Sequence, residues 1–181
     1  MALIIILAIL AILVLYFISC QRSFISWQEK IKNALSNIAV QQKSRWDALK
    51  QIAKSAKAYK LHEAETLVNL TAARSGKVAT SAKEVQASDK DFLAALHNLN
   101  VVVEAYPELK ADGLYAQTMS SINGYEDKVR LSRQVYNDCV TQYNRLVKQL
   151  PSSIVANLLH FTEENYLEFE QASSAMPDLD L

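Results

Sequence analysis

The sequence predicts an all-α protein, an antiparallel bundle of three to four long helices following an N-terminal transmembrane helix. Three observations carry that prediction. Three Gly and three Pro in 181 residues fall well below the usual roughly 7% and 5%, too few turn residues for a many-stranded sandwich or barrel. Apolar side chains recur every three or four positions, as one face of a helix requires. The chain also opens with an uncharged apolar run, Ala2 to Ile18, extended by Ser19 and Cys20 before Gln21 and Arg22.

That leading run of about 19 residues would make a helix of ~28 Å, close to the ~30 Å hydrocarbon core of a bilayer. It lacks the basic start, shorter apolar core and small-residue cleavage site of a secretory signal, so it reads as an uncleaved anchor in contact with membrane lipid through residues 2–19. Arg22, Lys30 and Lys32 follow it, and apart from the amino terminus nothing positive precedes it. The expected topology is therefore N-terminus outside and body in the cytoplasm. Phe17-Ile18-Ser19-Cys20 gives a competing reading, an approximate lipobox with Cys20 as a possible acylation site and the bundle outside the cytoplasm. The expected domains are an anchor over 1–20, a helical bundle over 21–170 and a flexible tail over 171–181.

The body is read as helices in order. Phe24, Trp27, Ile31, Leu35 and Ile38, then Leu49, Ile52, Ala56 and Tyr59, form the first stripe, with no Gly or Pro before Gly76. Such a helix either continues to Arg74 as a stalk or breaks near Tyr59 to Leu61. The second is expected over Val78 to Ala105, with Val78, Ala82, Val85, Phe92, Leu96, Leu99, Val103 and Tyr106 on one stripe, closed by Pro107 and Gly113. The third is expected over Leu114 to Leu150. Its seam of Tyr115, Met119, Ile122, Glu126, Val129, Arg133, Tyr136, Val140, Tyr143, Val147 and Leu150 alternates by four and three, a heptad pattern. Pro151 ends it, and Ser152 or Ser153 can cap a short amphipathic helix carrying Ile154, Val155, Leu158, Leu159 and Phe161. That segment is expected to dock on the bundle, with contact to a lipid surface as the alternative.

Two seam positions are charged. Glu126 and Arg133 lie one heptad apart, ~10.5 Å along the axis, too far to pair with each other. Each needs a partner from another helix, and Arg45, Asp47 and Glu104 are the candidates for an interhelical polar layer that could set register. The polar stretch Gln41 to Arg45 is read as a solvated turn or part of that layer, with a docking face as the alternative.

The zero formal charge, 19 basic against 19 acidic residues, argues against a nucleic-acid partner. Two Cys make no disulfide framework, and Cys139 reads as a packing residue. His62-Glu63 begins like a zincin motif, but Thr66 stands where the second His would be; no metal site and no cofactor are expected. Asn69-Leu70-Thr71 is a glycosylation sequon only in a secretory lumen.

The run Ile31 to Asp47, then Tyr59 to Glu65, resembles the amino-terminal signature of bacterial LemA proteins. Val101-Val102-Val103-Glu104-Ala105-Tyr106-Pro107-Glu108-Leu109-Lys110-Ala111, the pairs Tyr136-Asn137 and Tyr143-Asn144, and Leu150-Pro151-Ser152 are similar to that family in order and spacing. The resemblance implies an amino-terminal membrane helix, a short external terminus and a helical bundle, and carries over no catalytic residue. Together these readings point to a single-pass, non-enzymatic scaffold or interaction protein with a protein partner or a second copy of itself. The alternative is a membrane-tethered enzyme or small-ligand receptor whose interhelical pocket uses Glu126, Arg133 and Glu104.

Overall fold

The structure, a computed structural model, describes residues 1–58, 71, 79–111 and 113–168. Among them every regular element is a helix: α1 (Ala2–Ala58), α2 (Ala82–Ala105), α3 (Pro107–Lys110), α4 (Gly113–Lys148) and α5 (Ser152–Leu158). The expected break at Tyr59 to Leu61, the stretch to Arg74, His62-Glu63, Asn69-Leu70 and the tail over 171–181 lie outside the described residues.

α1 has 57 residues, about 86 Å of helix. Its first part is long and apolar enough to cross a membrane. The expected boundary at residue 20 falls inside this helix, so the apolar run and the first bundle helix are one rod. Continuity has a local cause, since neither Gly nor Pro occurs between residues 2 and 58.

α2 begins after Ser81, whose Oγ accepts from the Glu84 N–H at 3.3 Å. The Glu84 carboxylate accepts in turn from the Thr80 N–H at 2.7 Å and Oγ1–H at 2.8 Å. That reciprocal cap satisfies donors a helix start leaves orphaned and places the start at Ala82 rather than Val78. Pro107 opens α3, the position where its missing N–H costs no helical bond.

α4 stops at Lys148, two residues short of the expected Leu150. Ser152 does not cap α5: Pro151 is the N-cap residue and makes no side-chain bond there. The Ser152 hydroxyl instead lies 2.7 Å from the Leu146 carbonyl and 2.9 Å from that of Gln149, serving the end of α4. Leu150 thereby leaves the seam and is 77% exposed.

α4 runs antiparallel to α1. Gln28 meets Tyr143 and Arg45 meets Glu126, so seventeen residues along α1 correspond to seventeen back along α4. α2 runs parallel to α1, with Gln42 against Val85, Arg45 against Asp89 and Trp46 against Phe92. Two apolar clusters result. The distal one joins Trp46, Leu49 and Ile52 to Phe92, Leu99 and Ile122. The one nearer the apolar run joins Cys20, Phe24, Ile31 and Ile38 to Tyr136, Val140, Tyr143 and Val155. After α5, His160 adopts φ 57°, and residues 161–168 run back along α4 without helix. Phe161 therefore lies on this segment rather than on the expected helical stripe.

Candidate functional site

Between the two clusters lies a layer of charge. Arg45, buried to 2% exposure of its side chain, pairs through Nη2 with Asp89 on α2. Through Nη1 it reaches Glu126 on α4 at 2.6 Å. Arg133 pairs with the other Asp89 oxygen at 2.5 Å, and the Gln42 amide donates to Asp89 at 2.8 Å and to the Val85 carbonyl at 3.0 Å. Asp89 is the hub, an acceptor for three helix-borne donors from two neighbouring helices. Among the described residues the buried Nε of Arg45 has no hydrogen-bond partner; the guanidinium carbon lies 4.2 Å from the Phe92 ring centroid. Trp46 closes the side of the layer, edge-on to Phe92 and 3.3 Å from the Ser88 hydroxyl.

Of the five residues proposed for the layer, Arg45, Glu126 and Arg133 come together here. Asp47 and Glu104 do not: both are exposed, Asp47 on the wall of a groove between α1 and α4 and Glu104 near the end of α2. Each points away from the stripe that its own helix buries. Asp89 was not anticipated, and Gln42 only as a member of the polar stretch Gln41 to Arg45. Their signal was a gap in each stripe, because Asp89 stands between Val85 and Phe92 at helical spacing, and Gln42 between Ile38 and Arg45. The stretch Gln41 to Arg45 therefore contributes its buried members to the layer, while Lys43 remains exposed.

One turn further along α4, two asparagines hold the segment 161–168. The Asn144 amide donates to the Glu164 carbonyl and its oxygen accepts the Glu164 N–H, both at 2.9 Å. Asn137 makes the same pair with Leu167, again at 2.9 Å. Tyr136 donates to the Asn165 carbonyl at 3.1 Å, and Arg133 donates to that of Glu168. The spacing matches physically: seven helical residues advance ~10.5 Å, and three extended residues ~10 Å. The side-chain amides thus act as a one-sided strand edge for a segment whose backbone has no ladder of its own. Arg133 belongs to both the charge layer and this strap.

Replacing Asn137 and Asn144 together by alanine leaves four backbone groups without partners, at about 1–3 kcal/mol for each that stays buried. Amide exchange at Glu164 and Leu167 should then become fast while Val140 stays protected. Unchanged protection at both would show that Phe161 and Leu167 hold the strap by packing alone.

Burial pushes the Tyr136 phenol above the usual 10.0, with the Glu164 charge adding to it. It raises Tyr143 likewise, against a smaller opposing effect of the Gln28 hydrogen bond. A folded-state value above the unfolded one stabilises fully below pH 10 and is lost as pH rises through the raised values. The melting temperature should hold up to about pH 9.5 and fall beyond it, in step with tyrosinate absorbance. A fall complete well below that pH would exclude these two phenols as the cause. Burial also raises the Cys139 thiol, which packs against the cluster nearer the apolar run. Cys20 is buried in the same cluster, where an acyl chain on sulfur would have to displace packed side chains.

The profile of the LemA family matches residues 34–181. The chain belongs to the LemA family. It is 32% identical over 159 residues to a protein of Metamycoplasma hominis named Protein LemA, covering 83% of this chain and 71% of that one. It is also 29% identical over 90 residues to Magnetosome protein MamQ 2 of Paramagnetospirillum magneticum, and 27% identical over 90 residues to Magnetosome protein MamQ of Magnetospirillum gryphiswaldense. Those matches cover 50% of this chain and 33% of each MamQ protein. The leading apolar helix and these relatives mark a membrane-associated helical protein. LemA membership agrees with the bundle: both asparagines of the strap and the Arg45–Asp89–Glu126–Arg133 layer lie within the matched residues.

Proposed function

We propose that this LemA protein is a single-pass membrane scaffold, not an enzyme, with its N-terminus outside and its bundle in the cytoplasm, binding a protein partner or another copy of itself. The observation that carries this reading is the unbroken α1, which joins the apolar run to both core clusters. A bundle on such a rod is held at a set height and cannot swivel on a linker, which suits a platform for another membrane protein. Leu131 and Val135, 62% and 46% exposed and one turn apart on α4, offer an apolar face for it. Orientation rests on Arg22, Lys30 and Lys32 after the run.

The reading as an enzyme or ligand receptor at Glu126, Arg133 and Glu104 is less well supported. The cavity beside Arg133 and Asp89 holds about 60 Å³, well under the ~300 Å³ of a small-molecule site, and Glu104 lies apart from it. Crosslinking in native membranes followed by affinity capture should recover a stoichiometric partner or a homo-oligomer; recovery of monomer alone would overturn the scaffold reading. Protease added to intact cells should leave the bundle untouched, and its digestion would reverse the topology. Fatty-acid labelling abolished by Cys20→Ser would establish the lipoprotein alternative instead.

A further inference from the structure

We propose that α5 and the turn before it form a second membrane contact, a foot by which the near end of the bundle rests in the bilayer interface through Leu150, Ile154 and Leu158. This rests on the reading of residues 2–19 as a membrane anchor. α5 divides its side chains between two faces. Ser152, Val155 and Ala156 are buried on the bundle, while Ile154 and Leu158, four residues apart, are 63% and 68% exposed and Leu150 is 77% exposed. Three large aliphatic side chains that no described residue covers, on a short helix and the turn before it, are a poor surface to leave in water.

Its height argues for lipid. The cluster that receives Val155 and Ala156 also contains Cys20 and Phe24, and Phe17 packs against it. Phe17 lies inside the apolar run, only about 6 Å along the helix before Gln21. By the α1–α4 register, Lys148 at the end of α4 lies level with Ser23, and Phe161 just after α5 stacks on Phe24. The turn and helix between them therefore sit where hydrocarbon gives way to headgroups, the depth of about 5–10 Å at which interfacial apolar side chains insert. At the same level Ile18 is 44% exposed on α1, so the apolar surface of the span and that of α5 adjoin one membrane boundary. Docking on the bundle and contact with lipid are thus the two faces of one element. A foot beside the anchor would oppose tilting of the rod.

Full-length protein carrying Cys20→Ala and Cys139→Ala, plus a single Leu150→Cys, Leu158→Cys or Leu131→Cys, would be labelled with an environment-sensitive fluorophore. It would be reconstituted in phosphatidylcholine–phosphatidylglycerol vesicles with or without doxyl-labelled lipid. Leu131 is the control: by the α1–α4 register it lies level with Val40, roughly 28 Å beyond the apolar run. Helicity by circular dichroism selects variants that match the parent, and two independent foot positions guard against one failing. Labels at 150 and 158 should be quenched at least about twofold more than at 131. Equal quenching at all three would overturn the proposal. So would blue-shifted, unquenched emission with energy transfer between copies, which would assign the face to a second copy of the chain. Failure of the protein to float with vesicles would instead overturn the anchor reading and, with it, this one.

Discussion

Replacing Asp89 by alanine is expected to destabilise the bundle by about 3–5 kcal/mol, because it removes the carboxylate shared by two guanidinium groups in a largely dry layer. Arg45 keeps Glu126, whose side chain is 36% exposed and therefore a solvent-screened partner. Arg133 keeps the Glu168 carbonyl but loses the Asp89 carboxylate. Asp89→Asn, which preserves shape and one acceptor, should cost less. Thermal and urea unfolding in detergent, followed by circular dichroism, measures both. An Asp89→Ala midpoint unchanged within error would mean that water reaches both arginines. We further propose that the layer sets register among α1, α2 and α4. Replacing Arg45, Asp89 and Arg133 together by apolar residues of similar volume should then be neutral or stabilising while the helices sample more than one pairing. A single set of amide resonances in that variant would remove the register role.

Phe24→Ala should cost a comparable 3–5 kcal/mol, but at the other end of the bundle. Phe24 is fully buried, stacked on Phe161 with centroids 4.6 Å apart and edge-on to Tyr143 at 6.1 Å. One ring thus joins α1 to α4 and to the start of the strap. Its loss opens a cavity that three elements would have to shift together to close, so collapse is incomplete and the cost sits toward the upper part of the range. Exchange should rise first at Glu164 and Leu167 and at the α5 amides, with Leu49 and Leu99 in the distal cluster retaining protection. Equal loss everywhere would show that the two clusters unfold as one unit across the charge layer.

Much of the bundle was legible because helical burial writes itself into spacing. Ile31, Ile38, Leu49 and Ile52, Phe92, Leu99 and Val103, and Ile122, Val129, Tyr136, Val140 and Tyr143 fall on stripes and are buried. Arg45, Glu126 and Arg133 were visible as charges on or beside such stripes. Asp89 was equally visible as a polar residue at a stripe position, but spacing says only that a side chain faces inward. Which charge meets which depends on the axial offset of the helices, whereas Asp47 and Glu104 stand off the stripes of their own helices and spacing alone sets them apart from Asp89. The strap was not legible at all. Asn137 and Asn144 bond to backbone groups, which are the same in every residue, so nothing in Phe161 to Glu168 could announce its partner.

By itself the sequence determined an all-helical chain with a lipid-length apolar start, three long amphipathic helices and charges facing inward, since each follows from local composition and a 3.6-residue period. The tertiary structure alone decided that Asp89 is the hub, that asparagine amides bind an extended segment, that Ser152 closes α4, and that no described residue covers Leu150 and Leu158. The reason is physical: periodicity is a property of one helix, whereas pairing, strap geometry and exposure arise from the distances between elements, which no single stretch of chain encodes.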